Sequence, residues 1–527
     1  MSDDESAEGA MDANPRPVTL LGLDGVSWSF VEELLDNADV PALTGLVDRS
    51  SRGVTKSTVP CLTCPALPAM YTGMNPGNLG IFEFIKPNGD IVTYDDITYP
   101  AIWDYLESVN ENVVVSAMRT THPAPQVNGA FISDVLSPEE EPEFVTPSSE
   151  RERGERFHQF RDELEHQKKT GLDDDLLSTF VKMNAERSEV MLELLDEYDP
   201  AFACLWFGLA DGVQHYFWDD RESLYEFFEA FDPYLSDILD SRDGDIVVVG
   251  DHGFGPTRDY QFHLNEALRR EGYLELAGGP IQRAFTKAAY WFSETVMTDE
   301  LKRTVLGVLD RFRNLTDNDS GGEQDNNLND IVITPFDDLP GIDWNATVAH
   351  ASTRKGWGIN IVKDSTTADI DELRREVIAA LDSLQTPHGN PVIKDAWFGE
   401  ELYPGRYVDQ VPDIVILADD HVRPRPSIFG KLFTDMNPGN YVGAHDSARE
   451  AVVMAAGDSI DPETTVGDSN IWDLTPLLLN RIGLPVPERV DGNVPKALRR
   501  DDTATNRYPV EHVRIDKGIS QLDTTKL

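Results

Sequence analysis

The architecture of this chain turns on Asp245-Ile-Val-Val-Val-Gly-Asp-His-Gly253. Its apolar run is β-branched and too short for a helix. It does not alternate with polar residues, so a strand built from it is buried on both faces. That is the habit of a parallel sheet sandwiched between helices. The run ends in an aspartate, a histidine and a glycine. Ligand-handling side chains in open parallel sheets gather at such carboxyl ends.

The same grammar recurs on either side. Val18-Thr-Leu-Leu-Gly-Leu23 leads into Asp24, and Phe202–Gly208 leads to Asp211 and His215. Further strands are expected at Val113–Ala117, Gly358–Val362, Asp413–Leu417 and Ala451–Ala456. Helices are expected at 30–36, 65–72, 151–167, 175–197, 221–240, 369–383 and 472–481. This alternation predicts a three-layer α/β/α fold with a mainly parallel central sheet. Residues 17–263 and 346–500 form the expected core. A helix-like stretch and an acidic polar run mark 264–345 as an inserted cap, and 1–16 and 501–527 read as polar tails.

Composition narrows the function. The chain has 527 residues and 94 acids against 45 bases, a net charge of −49. Binding to nucleic acid rests on Lys and Arg contacts with phosphates, so none is expected here. The same charge disfavours an anionic membrane surface, and no apolar run is long enough to span a bilayer. Aspartate dominates the acids and lysine is scarcer than arginine. Acids spread along the whole chain resemble the surface of a halophile's protein. With no leader-like segment and three cysteines, too few for a disulfide framework, a cytoplasmic location is expected; the oligomeric state is left open.

Asp24, Asp211, His215, Asp251, His252 and His445 therefore form a candidate metal centre. Taken singly, most have a plainer reading. Asp24-Gly25 alone reads as a turn, and Asp211 and His215 share one helix face by spacing. Together they are too many ligands for one tetrahedral ion and suit two divalent cations, Zn2+ first, with Mn2+ or Fe2+ as alternatives. Two such ions clamp the attacking and leaving oxygens of a phosphoryl displacement. Thr63 lies before an expected helix opening at Pro65 with Cys64 as its N-cap; alone, Thr63 could be no more than a capping residue. The Cys61-x-x-Cys64 spacing has no second pair and no neighbouring histidine, and reads as chance.

The order of motifs resembles the alkaline phosphatase superfamily, in its type I phosphodiesterase/nucleotide pyrophosphatase branch and that branch's archaeal relatives. The matching pieces are Gly22-Leu-Asp-Gly25, Leu62-Thr-Cys-Pro-Ala66, Thr72-Gly-Met-Asn-Pro-Gly77, Gly80-Ile-Phe82, Ile102-Trp-Asp104, Val127-Asn-Gly129, Asp211-Gly-Val-Gln-His215, Gly250-Asp-His-Gly253, Gly443-Ala-His445, and Asp473-Leu-Thr-Pro476 through Gly483-Leu-Pro485 to Asp491-Gly492.

The resemblance implies that Asp24, Thr63, Asp251 and His252 hold one metal ion, and that Asp211, His215 and His445 hold another. It implies Thr63 as nucleophile, a phosphothreonine intermediate, and a small phosphate-ester substrate such as a nucleotide or nucleotide sugar. The branch's asparagine just after the nucleophile is missing, since none occurs before Asn75. Arg354 and Lys355 are candidates for supplying positive charge to the substrate, although a surface role fits them equally. A phosphomonoesterase, a phosphoglycerate-mutase-like phosphotransferase and a catalytically silent metal-binding relative remain the alternatives.

Overall fold

A computed structural model describes residues 15–86, 89–134, 142–170, 174–277, 342–353, 355–363, 369–428, 430–436 and 441–500. Most of the expected insertion, nearly all of the N-terminal tail, the whole C-terminal tail and Arg354 lie outside these residues.

The central sheet uses β1 (Val18–Leu23), β2 (Ser51–Lys56), β3 (Val113–Met118), β4 (Gly129–Ser133), β5 (Val145–Thr146), β6 (Phe202–Phe207) and β7 (Asp245–Val249), with Glu450–Ala456 and Thr465–Asn470. Its order is Thr465–Asn470, β2, Glu450–Ala456, β7, β1, β6, β3, β4, β5. The run from β7 through β1, β6 and β3 to β4 is parallel. Glu450–Ala456 is antiparallel to both β2 and β7. All six residues of β1, β3 and β6 are buried, as a sheet with helices on both faces requires.

Helices fall close to the expected spans. Trp28–Asn37, Asp174–Tyr198, Arg221–Asp240 and Ile370–Asp382 differ by a few residues or fewer. The expected helix 151–167 is two helices, Arg151–Phe157 and Arg161–Thr170. No helix among the described residues is long and apolar enough to cross a membrane.

Two expected strands lie elsewhere. Gly358–Ile361 and Ile414–Ala418 do not enter the central sheet. They pair in a four-stranded antiparallel sheet with Ala349–Ala351 and Ile393–Phe398. A second apolar core surrounds this sheet, gathering Phe262, Leu264, Leu274, Ile342, Ile359, Val377 and Ile416. The described ends of the expected insertion, with Leu264, Leu274 and Ile342, therefore pack into that second core. A third small cluster of Val59, Cys61, Trp357, Val415 and Leu417 joins the second sheet to the segment before Thr63.

One close contact locks β1 against β6. A Cβ on Gly22 in β1 would sit 1.8 Å from the Trp206 ring of neighbouring β6. Gly45, inside the helix Pro41–Asp48, has nothing within 4 Å of such a Cβ. Gly22→Ala is expected to lower stability by about 1–3 kcal/mol through overpacking. Gly45→Ala should raise it by roughly 0.5–1 kcal/mol through helix propensity. Urea unfolding midpoints of the two variants check this, and equal shifts would contradict it.

Candidate active site

Three neighbouring parallel strands end level with one another. Leu23 of β1 lies opposite Phe207 of β6, and Gly22 lies opposite Val249 of β7. Asp24 leaves β1 directly. Asp251 and His252 follow β7. Asp211 and His215 sit one turn apart on the helix Leu209–Phe217, which follows β6. His445 arrives from the Gly443-Ala444 strand that pairs with Gly255-Pro256. Side chains distant in sequence thus meet at one sheet edge.

They form two triads. Ligand-type atoms of Asp24, Asp251 and His252 lie within 4.8 Å of one another, and so do those of Asp211, His215 and His445. His252 Nε2 is 3.6 Å from Asp24 Oδ1 and 3.4 Å from Asp251 Oδ2. His215 Nε2 and His445 Nε2 are 3.4 and 3.8 Å from Asp211 Oδ1. The triads adjoin, because the His252 and His445 rings stack with centroids 4.0 Å apart.

The outer contacts select which atoms face the centre. With Nδ1 protonated, each histidine donates to a backbone carbonyl: His215 to Gly443 at 2.9 Å, His252 to Gly253 at 3.0 Å and His445 to Cys61 at 2.8 Å. That tautomer leaves each Nε2 as a lone-pair donor, the usual second contact of a metal-bound imidazole. The carboxylates follow the same plan. Trp206 Nε1 donates to Asp24 Oδ2 at 3.0 Å, and the Gly25 N–H donates to Asp251 Oδ1 at 3.2 Å. The atoms left over are Asp24 Oδ1, Asp251 Oδ2 and Asp211 Oδ1. All three are buried with no hydrogen-bond partner.

Three orphaned carboxylate oxygens facing three imidazole nitrogens fit divalent cations. Without a cation the arrangement is costly, because buried anions need compensation. Burial, followed by the charge of Asp251, pushes the Asp24 carboxyl well above its ordinary range. Burial also pushes Asp211 up, but His215, His445 and Arg119 outweigh it and hold that carboxyl below its ordinary range.

Thr63 sits beside the first triad, with Oγ1 3.2 Å from His252 Nε2. It is the first residue of the helix Thr63–Thr72, and Leu62 is the N-cap. The expected cap, Cys64, is inside the helix. Pro65 is tolerated there because the first turn's N–H groups have no partner within the helix. Burial pushes the Cys61 thiol up to about 12 and the Cys64 thiol higher still, so neither forms a thiolate readily.

Residues 18–446 match the profile of the family described as type I phosphodiesterase/nucleotide pyrophosphatase. The chain belongs to this family. It is accordingly a hydrolase of phosphoester or phosphoanhydride bonds, in a family that depends on metal ions. No curated protein matches it. Among solved structures, it is similar to phosphonoacetate hydrolase from Sinorhizobium meliloti 1021 in complex with phosphonoacetate. There the identity is 15% over 89% of this chain and 96% of the other, with a TM-score of 0.48. It is also similar to murine ectonucleotide pyrophosphatase/phosphodiesterase 5 in complex with AMP, at 12% identity over 89% and 95%, TM-score 0.46.

Two basic residues border the site. Lys355 is exposed, and its charge acts on Cys64 and Asp446, the neighbours of Thr63 and His445. Arg119 was not among the residues singled out in the sequence. It follows β3, and its charge acts on Asp24 and Asp211, one carboxylate from each triad.

The raised Asp24 carboxyl carries a sign. An acid whose folded pKa exceeds its unfolded value destabilises the metal-free fold once pH rises above the unfolded value of about 4. At pH 7 with chelator, Asp24→Asn should therefore be at least as stable as the parent. Added Zn2+ should raise the parent's Tm strongly and the variant's weakly. A variant that melts well below the parent in chelator, yet gains as much from Zn2+, would contradict this.

Proposed function

We propose that this phosphodiesterase-family chain hydrolyses a small phosphate ester or anhydride through a phosphothreonine on Thr63, with two divalent cations held by the two triads. The observation that carries this reading is the set of three partnerless buried oxygens, Asp24 Oδ1, Asp251 Oδ2 and Asp211 Oδ1, turned toward His252, His215 and His445. Asp24, Asp251, His252 and Thr63 would hold one ion, and Asp211, His215 and His445 the other. Bound there, the ions supply Lewis acidity, which lowers the pKa of an oxygen nucleophile and offsets charge developing on the phosphoryl group. Zn2+ suits the mixed imidazole and carboxylate set, as Mn2+ and Fe2+ also do.

The chain's own residues account for the rest. Thr63 Oγ1 lies 3.2 Å from His252 Nε2 of the first triad, which supports it as the oxygen that attacks phosphorus. The bond from Oγ1 to phosphorus forms as the bond to the leaving oxygen breaks, and the hydroxyl proton is released to solvent. Thr63 opens a helix, and the N–H groups of that first turn favour the negative phosphoryl oxygens. A water molecule on the side vacated by the leaving group then attacks phosphorus. The bond to Oγ1 breaks, phosphate (from a monoester) or a phosphate monoester (from a diester or anhydride) is released, and the hydroxyl is restored. Two in-line steps give net retention at phosphorus.

Lys355 is exposed and its charge reaches Cys64 and Asp446, which supports a role in drawing an anionic substrate; a nucleotide or nucleotide sugar has the required charge. The acidic surface supports work in concentrated salt, where screening relieves self-repulsion.

Thr63→Ala is expected to abolish turnover of aryl phosphate esters while leaving most of the bound metal. Thr63→Ser should keep measurable activity, because a primary hydroxyl can replace a secondary one. Assays in molar KCl with metal analysis of each variant test this. Full activity in Thr63→Ala would remove Thr63 as the nucleophile.

A further inference from the structure

The two triads differ in their access to solvent. The side chains of Asp24, Asp251 and His252 in the first are fully buried. In the second, the His215 side chain is 20% exposed and that of His445 is 13% exposed. The site therefore opens on the side of the second triad. Thr63 stands beside the first, with Oγ1 next to His252. In an in-line displacement the leaving oxygen departs opposite the attacking one. A leaving group expelled by Thr63 thus faces the opening.

Tyr441 stands on that rim. Its ring meets the His215 ring edge to face, with centroids 5.3 Å apart and planes at 89°. It also lies against Tyr216, at 5.0 Å and 38°. Phe254 packs on the His215 ring too, at 4.9 Å, but is buried. Tyr441 is 48% exposed, one of three large apolar side chains exposed among the described residues. The other two, Ile85 and Ile91, pair with each other in a β-bridge. The backbone beside the Tyr441 ring is fixed. The Val442 N–H donates to the His215 carbonyl at 2.9 Å, and the Val442 carbonyl accepts from the Thr257 N–H at 2.8 Å. Gly443 leaves no room to slide, since a Cβ there would lie 2.4 Å from the Gln214 carbonyl oxygen and 2.5 Å from the Phe254 ring.

We propose that Tyr441 is a specificity-determining residue that stacks on the substrate's leaving group and so favours an aromatic leaving alcohol over a small alkyl one. A tyrosine ring offers a flat apolar face while its hydroxyl stays in water, and two aromatic rings attract beyond the area they bury. An ethyl group covers too little of that face to gain from it. The fixed backbone means that little freedom is lost when a ring docks. The same contact serves an alcohol that attacks the phosphothreonine, because it enters from the side that the leaving group vacated. Its oxygen bonds to phosphorus as the bond to Oγ1 breaks, and its hydroxyl proton is released to solvent. The inference rests on the reading that Thr63 attacks phosphorus in this cleft.

The test compares the metal-loaded full chain with Tyr441→Ala and Tyr441→Phe in molar KCl. The phosphoryl donor is p-nitrophenyl phosphate or bis(p-nitrophenyl) phosphate, whichever is cleaved. Benzyl alcohol and ethanol compete with water as acceptors, and the transfer products are quantified. Metal content, Tm and the calorimetric affinities for phenylphosphonate and methylphosphonate are measured alongside. Tyr441→Ala is expected to lower transfer to benzyl alcohol relative to ethanol by roughly 10-fold, with a similar loss in the preference for phenylphosphonate. Tyr441→Phe should keep most of both preferences, and metal content should stay unchanged. An unchanged benzyl-to-ethanol ratio in Tyr441→Ala overturns the proposal. So does an equal loss of both transfers together with loss of metal, which would make Tyr441 a brace for His215. A ratio that falls as far in Tyr441→Phe as in Tyr441→Ala also overturns it, because the hydroxyl rather than the ring face would then carry the effect. If the parent cleaves neither donor, the reading of Thr63 fails instead, and the preference for phenylphosphonate still decides the role of Tyr441.

Discussion

The structure depends on three carboxylates placed where water cannot reach them. Asp24 and Asp251 are fully buried and Asp211 nearly so. Burying one ionised carboxylate without a partner costs several kcal/mol, and gathering three at one sheet edge compounds that cost. The surrounding protein neutralises only part of it. Arg119, partly exposed, puts its charge on one carboxylate of each triad, and each histidine, its Nδ1 donating to a backbone carbonyl, turns Nε2 inward. The chain is thus organised around a deficit of positive charge that divalent cations fill.

This constraint explains features that are otherwise unrelated. Gly22 has no side chain because the Trp206 ring occupies its place, and Trp206 is needed there to hold Asp24 Oδ2. That contact leaves Oδ1 as the free oxygen. The Gly25 N–H does the same for Asp251. Gly443, Gly253 and Cys61 contribute carbonyls that set the tautomer of each histidine. Orientation of the ligands is therefore carried by backbone groups and one indole. Such partners are rigid, and they do not titrate near neutral pH.

Much of this was legible in the sequence, for a physical reason. A buried parallel strand is a continuous apolar run, so its end is visible, and the residue after it stands at the sheet's edge. Asp24, Asp251 and His252 could be located in that way. Spacing placed Asp211 and His215 on one helix face. Thr63 was pinned by resemblance, since a threonine before a helix has an ordinary capping role. Gly358–Val362 and Asp413–Leu417 are apolar runs of the same kind, but periodicity does not say which sheet a strand joins. They built the second sheet. Arg119 gave no signal, because Met118-Arg-Thr120 is unremarkable until β3 is known to lie beside β6. Arg354 lies outside the described residues, and Lys355 gained weight only because its charge reaches Asp446 and Cys64.

The second sheet has consequences for the chemistry as well as the fold. The segment before Thr63 is held from three directions. The Tyr403 hydroxyl both accepts from the Val59 N–H and donates to the Val59 carbonyl. Val59 and Cys61 pack against Val415 and Leu417 of the second sheet and against Trp357, which immediately precedes its strand Gly358–Ile361. The Cys61 carbonyl accepts from His445, a member of the second triad. The Trp357 indole also donates to Glu83, whose backbone carbonyl accepts from the Cys64 thiol. A shift of the second sheet would therefore move the nucleophile segment and a metal-ligand histidine together. Positioning of Thr63 and positioning of His445 are one mechanical problem. The fold solves it by making a single short segment the meeting point of the main core, through Cys64, and the third cluster beside the second sheet, through Val59 and Cys61.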